Sequence, residues 1–379
     1  MILRGNCLEL MPTLPADAFD AIVTDPPYHL TNRGGGPSGK GLEGPHARAR
    51  AGASARGFMG KAWDGGDIAF RPETWAHALR VAKPGAFLAA FGATRTFHRL
   101  TCAIEDAGWE IRDTLMWVYG SGFPKSHNGD WGGTALKPAW EPIILARKSP
   151  AGTVAGNFEM HGTGGLRIDP CGIGGDVADG GRWPANLLHD GSDEVLGAFP
   201  YALGQQADAS TDTSSRKTAS VYGELRRGRG VEASAEAAND GGVGFKMRPG
   251  LRRLDSGSAA RFFYCAKADN RDRHDGLEDP GHQFTTGALP HDFAAVNSGA
   301  RGNHHPTVKP TALMRWLCRL VTPAGGHVLD PFTGSGSTGR GAIAEGLQFT
   351  GIELDPAYAA IAEARIRVTQ PGLPLGDAA

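Results

Sequence analysis

Apolar and polar positions along the chain follow two rhythms. Short, almost unbroken apolar runs at Phe19 to Thr24, Ala86 to Phe91, Pro142 to Arg147, His327 to Leu329 and Gln348 to Ile352 have the length and density of strands buried on both faces. Between them, Glu73 to Ala82, Thr94 to Ala107, Thr311 to Val321, Thr338 to Glu345 and Pro356 to Arg367 carry apolar residues at helical spacing. Glu110 to Tyr119 reads as one more strand, Lys83-Pro84-Gly85 as a turn, and Gly108 as a helix stop. Strands alternating with helices predict an α/β fold around a mostly parallel sheet.

The rhythm fails in two places. From His29 to about Gly66 the chain is rich in Gly, Ala, Arg and Ser, which favours a flexible segment over a packed element. Between about Ser149 and Ser258 apolar periods are weak, and we expect an inserted, loop-rich lobe. It carries Arg226, Arg227 and Arg229, then Lys246, Arg248, Arg252 and Arg253, which reads equally well as a solvated surface or as a nucleic-acid contact.

Composition narrows the picture mainly by exclusion. The 379 residues hold 39 basic and 40 acidic side chains, so overall charge neither demands nor forbids a polyanionic partner. Cys7, Cys102, Cys171, Cys265 and Cys318 are scattered and form no CxxC pair, so neither a metal site nor a disulfide framework is expected. No long apolar run and no basic-then-apolar leader occurs, so the expectation is a cytoplasmic protein without a membrane partner.

The candidate chemistry lies at two loops. Gly334-Ser335-Gly336-Ser337-Thr338-Gly339 fits G-x-G-x-x-G between a strand and a helix, and Glu353 ends the next strand, where a carboxylate can accept hydrogen bonds from ribose hydroxyls. Taken alone this pattern also fits a plain tight turn or a dinucleotide site, while Arg340-Gly341 stands where a P-loop needs its lysine and hydroxyl residue. Only two convincing strands follow residue 325, so the rest of the sheet must come from the N-terminal half. Ligands of open α/β sheets bind beyond the carboxyl ends of the strands, so the glycine loop should meet Asp25-Pro26-Pro27-Tyr28, the loop that Phe19 to Thr24 delivers.

Asp25-Pro26-Pro27-Tyr28, Asp330-Pro331-Phe332-Thr333-Gly334-Ser335-Gly336 and His305-Pro306-Thr307-Val308-Lys309-Pro310 together resemble the amino-methyltransferases of DNA, specifically the permuted β group. Gly5-Asn6-Cys7-Leu8-Glu9 is similar to that family's cofactor-adenine strand end, with Asn6 where the family more often has aspartate. Gly57-Phe58-Met59-Gly60, Arg182-Trp183-Pro184-Ala185-Asn186 and Phe262-Phe263-Tyr264-Cys265 look like bacterial and phage relatives. The resemblance implies a class-I S-adenosylmethionine-dependent methyltransferase sheet of Rossmann-like type with circularly permuted motif order and one antiparallel strand. It divides the chain into a catalytic part at 1–150, a target-recognition insert at 151–260 and a cofactor-binding part at 261–379.

The family's chemistry explains the residue types. An exocyclic amine is a poor nucleophile because its lone pair is delocalised, so acceptors must hold its hydrogens as the nitrogen becomes tetrahedral. Asp25 and the Pro26 carbonyl would do so on a loop stiffened by Pro27, while Tyr28 would stack on a flipped base, which makes Tyr28→Phe milder than Tyr28→Ala. The resemblance assigns S-adenosylmethionine to Asn6, Cys7, Asp25, Asp330, Pro331, Phe332, Gly334, Gly336, Glu353 and Leu354. The basic cluster of Arg226, Arg227 and Arg229 is the candidate contact for double-stranded DNA, and Lys309 reads equally well as a surface charge or as a contact to DNA phosphate or the cofactor carboxylate; a restriction endonuclease partner and a homodimer stay open. Adenine is the expected base, with cytosine's exocyclic amine and a non-catalytic DNA-binding protein as alternatives. Trp63, Phe58 and Met59 are candidates for the base pocket or for capping the 29–66 loop.

Overall fold

The computed structural model describes residues 1–28, 67–122, 129–133, 135–176, 181–202, 219–220, 223–224, 256–266, 270–277, 303, 305 and 307–370. Its centre is a nine-stranded sheet. The strands are β1 (Ile2–Arg4), β2 (Phe19–Thr24), β3 (Ala82–Phe91), β4 (Glu110–Val118), β5 (Trp140–Arg147), β6 (Leu187–His189), β7 (Tyr264–Cys265), β8 (His327–Asp330) and β9 (Gln348–Glu353). In space they run β1-β9-β8-β2-β3-β5-β4-β6-β7. All neighbours pair in parallel except at β5, which runs against both β3 and β4.

The central strands are apolar throughout because both faces are covered. Side chains alternate: Ala21, Val23, Phe87, Ala89 and Phe91 join one core, and Ile22, Leu88 and Ala90 the other. The first core is closed by α6 (Thr311–Val321), whose Leu313, Met314, Trp316, Leu317, Leu320 and Val321 are buried. The second is closed by α2 (Pro72–Val81), which buries Trp75, Ala78 and Val81, and by α3 (Phe97–Asp106), which buries Leu100, Ala103 and Ile104. Helix α2 opens on Pro72, where the missing N–H costs nothing.

Two details depart from the sequence reading. Lys83-Pro84-Gly85 is not a turn before the strand but a bulge inside β3, whose register passes from Phe19 opposite Ala82 to Ala21 opposite Phe87. Gly85 takes a φ of 77°, and its N–H still finds an acceptor, the Lys148 carbonyl at 3.1 Å, so the strand absorbs the extra residues. The segment expected to be loop-rich contributes β6, which pairs with β4, and β7 just beyond it pairs with β6. Strands of three and two residues are too short to show a period. The same segment carries α4 (Val154–His161) and α5 (Asp193–Ala198).

The remaining helices are α1 (Cys7–Leu10), α7 (Ser337–Ala344) and α8 (Pro356–Arg367). Strand β8 leads through α7 to β9 on one side, while its other neighbour, β2, leads to β3 on the opposite side. The chain therefore diverges between β8 and β2, and a crevice opens at their carboxyl ends. That seam is stitched by Thr24, fully buried, whose hydroxyl donates to Asp330 Oδ1 across 2.6 Å. Among the described residues no helix is long and apolar enough to cross a membrane.

Replacing Thr24 by valine keeps the shape but removes that donor from a buried carboxylate. The expected loss is about 1–3 kcal/mol of unfolding free energy, read from the urea midpoint at unchanged slope. An unmoved midpoint would show that the seam does not depend on this bond.

Candidate active site

The crevice at the switch point has a volume of about 1350 Å3 and is lined by Asn6, Cys7, Asp25 to Tyr28, Glu141, Lys309, Asp330 to Ser335, Glu353 and Leu354, among others. One half is built by the glycine loop. Gly334 and Gly336 hold φ values of 54° and 81°, in the left-handed region that disfavours a side chain. A Cβ on Gly334 would lie 3.0 Å from His305 Nε2, and one on Gly336 2.9 Å from the Ala362 backbone. The loop thus passes too close to its walls for anything but glycine.

Glu353 locks this loop. Its Oε2 accepts the Gly334 N–H at 2.7 Å and its Oε1 accepts the Asp355 N–H at 2.8 Å. Burial raises its carboxyl to about 7, although both backbone donors pull the other way. Each carboxylate oxygen keeps a further lone pair for a ligand. Asp330 lines the same crevice and is also a brace. It is 1% exposed, and its Oδ1 is taken by Thr24 and by the Phe332 N–H at 3.0 Å, so it shapes the loop from beneath. Burial lifts its carboxyl to about 6. Pro331 and Phe332 line the crevice above it.

Asn6 also has a structural task. It caps α1, accepting the Leu8 N–H on Oδ1 at 3.1 Å, and so fixes the short element that carries Cys7 to the crevice. Burial pushes the Cys7 thiol up to about 12, which leaves it an apolar wall rather than a nucleophile. Leu354 sits at the mouth, 66% exposed.

The other half is built on Asp25 to Tyr28, at the end of β2. The Tyr28 carbonyl accepts the Thr96 hydroxyl at 3.0 Å, which ties the loop to the start of α3 and explains why that helix begins at Phe97 and not at Thr94. The Tyr28 hydroxyl donates to Asp25 Oδ1 at 2.7 Å, with Glu141 Oε2 at 3.3 Å. Burial and these two carboxylates hold the phenol well above its usual range, so it stays protonated.

Lys309 is where the structure corrects the sequence reading most. It is neither a surface charge nor placed for DNA phosphate: it is 6% exposed, with Nζ 2.9 Å from Asp25 Oδ2, 3.0 Å from Glu141 Oε2 and 2.9 Å from the Tyr28 oxygen. Burial alone would lower its pKa, but the two carboxylates outweigh that and hold the ammonium above its ordinary value. The cation also lies 4.8 Å from the centre of the Phe91 ring. Tyr28 offers more than a ring face, since its hydroxyl donates to Asp25 and accepts from Lys309, two bonds that phenylalanine would lack.

Glu141 was not singled out from the sequence. It enters because β5 is the antiparallel strand, so its first residues, Trp140 and Glu141, lie at the same edge as the last residues of β2 and β8. An antiparallel strand beginning with a carboxylate was the available signal. His305 walls the glycine loop; burial lowers its ring to about 4, so it is neutral, and Nδ1 lies 2.7 Å from the Thr307 carbonyl. Arg226, Arg227 and Arg229 lie outside the described residues, as do Phe58, Met59 and Trp63. Among the described residues no cluster of His, Cys, Asp or Glu could hold a metal ion.

A loop with a carboxylate and two prolines thus shares one crevice with a glycine loop and an acidic strand end, and the family profile described as DNA methylase matches residues 19–364. The chain belongs to the DNA methylase family. With that membership, the mostly parallel sheet with its one antiparallel strand is the class-I S-adenosylmethionine-dependent methyltransferase sheet expected from the sequence. DNA adenine methyltransferase YhdJ of Escherichia coli K12 is 47% identical over 55 residues, which are 14% of this chain and 19% of that protein. YubD of the same strain is 39% identical over 75 residues, 20% of this chain and 33% of its own. The chain therefore spans a third or less of the length of these relatives. The solved M1.HpyAVI–SAM complex is 15% identical with a TM-score of 0.40, covering 96% of this chain and 98% of that one. The cytosine-N4-specific PvuII DNA methyltransferase is 14% identical with a TM-score of 0.45, covering 96% and 85%.

Proposed function

We propose that this DNA methylase family member transfers a methyl group from S-adenosylmethionine to the N6 amine of adenine in double-stranded DNA. The observation that carries this reading is the convergence of Asp25 to Tyr28, Gly334 and Ser335 of the glycine loop, and Glu353 on one crevice, which Gly336 shapes without lining it. The chain's residues fit the cofactor: the left-handed glycines let the loop turn tightly beside the crevice, and Glu353 keeps acceptor capacity for a vicinal diol. When bound, S-adenosylmethionine supplies an electrophilic methyl group.

The protein's task is then to prepare the amine. Asp25 and the Pro26 carbonyl accept its hydrogens, and the two prolines keep these acceptors in place before reaction. A base inside a duplex cannot reach the crevice, so the target is flipped out of the stack. Direct transfer needs no covalent enzyme intermediate, in keeping with a buried, inert Cys7. Aspartate at position 25 rather than serine favours adenine, and the locally similar YhdJ is named a DNA adenine methyltransferase. We read the order of the motifs, with Asp25 ahead of the glycine loop, as a circular permutation. Residues 151–260 are the target-recognition part, with Arg226, Arg227 and Arg229 as phosphate or base contacts.

Two measurements test this. Because burial lifts Glu353 to about 7, ribose hydroxyls that donate to its carboxylate should pull a proton off at lower pH. Cofactor affinity should rise with pH through about 7 and level off above it. Glu353→Gln should bind more weakly by about 1–3 kcal/mol and lose that rise, as calorimetry across pH 6 to 8 would read. The same slope in both proteins would remove Glu353 from the role. The second measurement is transfer of labelled methyl to DNA. Asp25→Ala should lose two to three decades in rate, about 3–4 kcal/mol, while calorimetric cofactor affinity stays almost intact. Undiminished transfer by the variant would sink the mechanism, and methylcytosine as product would move the assignment to cytosine's amine.

A further inference from the structure

An ammonium has three N–H donors, and each of Lys309's has a partner: Asp25 Oδ2, Glu141 Oε2 and the Tyr28 oxygen, all within 3.0 Å. No donor is left over for a DNA phosphate or a cofactor carboxylate. Because Lys309 donates to the Tyr28 oxygen, the phenol's own proton points at Asp25 Oδ1, 2.7 Å away, rather than at the more distant Glu141. Asp25 is therefore gripped on both oxygens by donors that are themselves fixed, one through Lys309 and one through Tyr28. Each oxygen keeps one lone pair, which is what an amine losing its planarity requires. Glu141 in turn holds the cation from the far side, on a strand that is hydrogen-bonded to both neighbours.

We propose that Lys309 and Glu141 are positioning residues that hold and orient the Asp25 carboxylate for the target amine, an assignment that rests on Asp25 being the acceptor in methyl transfer. Neither touches the amine. Lys309 brings its ammonium to 2.9 Å from Asp25 Oδ2, and Glu141 balances Lys309 from 3.0 Å so that Asp25 is not tied so tightly that it ceases to be an acceptor. Among the described residues, the remaining titratable groups facing this cluster are Asp330 and His305 beside Asp25, and Tyr119 beside Glu141 and Lys309.

The two residues act on Asp25 with opposite sign, which separates positioning from mere support. Removing a negative neighbour favours the ionised carboxylate, and removing a positive one disfavours it. The experiment is the single-turnover rate of methyl transfer to duplex DNA at saturating S-adenosylmethionine, followed from pH 4.5 to 8.5 for wild type, Glu141→Gln and Lys309→Met. Thermal melting and cofactor affinity are measured alongside. Glu141→Gln should move the acidic limb of the profile down by about one pH unit and lower its plateau. Lys309→Met should move the limb up by about one to three units and lower the plateau further. Cofactor affinity should change by less than about threefold in either, since the shift falls on the acceptor and not on the cofactor half of the crevice.

Glu141→Gln keeps its shape, so it carries the test alone should Lys309→Met fail to fold. A limb that stays put in Glu141→Gln, or limbs that move the same way in both folded variants, would overturn the assignment while leaving methyl transfer by the wild type standing. A wild type that transfers no methyl group overturns the functional reading, and this assignment with it.

Discussion

A single buried cation organises the catalytic half of this molecule. Lys309 has been taken almost wholly out of water, which is tolerable only because two carboxylates and a phenol surround it. The cation and its partners come from three distant parts of the chain: Asp25 and Tyr28 from the end of β2, Glu141 from the start of β5, and Lys309 itself from the segment before α6. Breaking such a cluster by removing one partner leaves an uncompensated charge in a dry place, which is far more costly than losing a surface ion pair. The cluster therefore fixes where the Asp25 loop can sit, and with it the shape of the crevice.

The topology makes this meeting possible. Divergence of the chain between β8 and β2 opens a crevice at their carboxyl ends, and the Thr24 to Asp330 bond holds the two strand ends together beneath it. The antiparallel course of β5 brings an acidic N-terminal end to an edge otherwise made of strand C-termini. On the other side of the seam, Glu353 is bound to the backbone of the very loop it serves, so the acidic strand end and the glycine loop form one rigid cradle. The proline loop and the glycine loop thus lie at the ends of adjacent strands, braced by the Thr24 to Asp330 bond and by Glu353.

Much of this was legible before any coordinates. The strand of β2, the proline loop after it, the glycine loop and Glu353 are local patterns, and their geometry follows from short-range rules about buried strands, prolines and left-handed glycines. The bulge at Lys83 to Gly85 was not, because a turn and a bulge draw on the same residues and only the partner strand decides between them. The role of Lys309 was missed for a related reason. A lysine in a polar stretch reads as solvated unless its partners are known, and here they lie at Asp25, Tyr28 and Glu141. The bracing of Asp330 is likewise not visible in its own motif, because it depends on Thr24, 306 residues away.

The central claim is that these two loops together form a centre for methylating an exocyclic base amine. Its most direct test is the identity of the modified nucleosides in genomic DNA from methylation-deficient cells expressing the full chain, set against cells expressing Asp25→Ala. The account predicts N6-methyladenine at a recurring sequence in the first and none in the second. DNA without any methylated base from cells that accumulate the folded wild-type protein would contradict it.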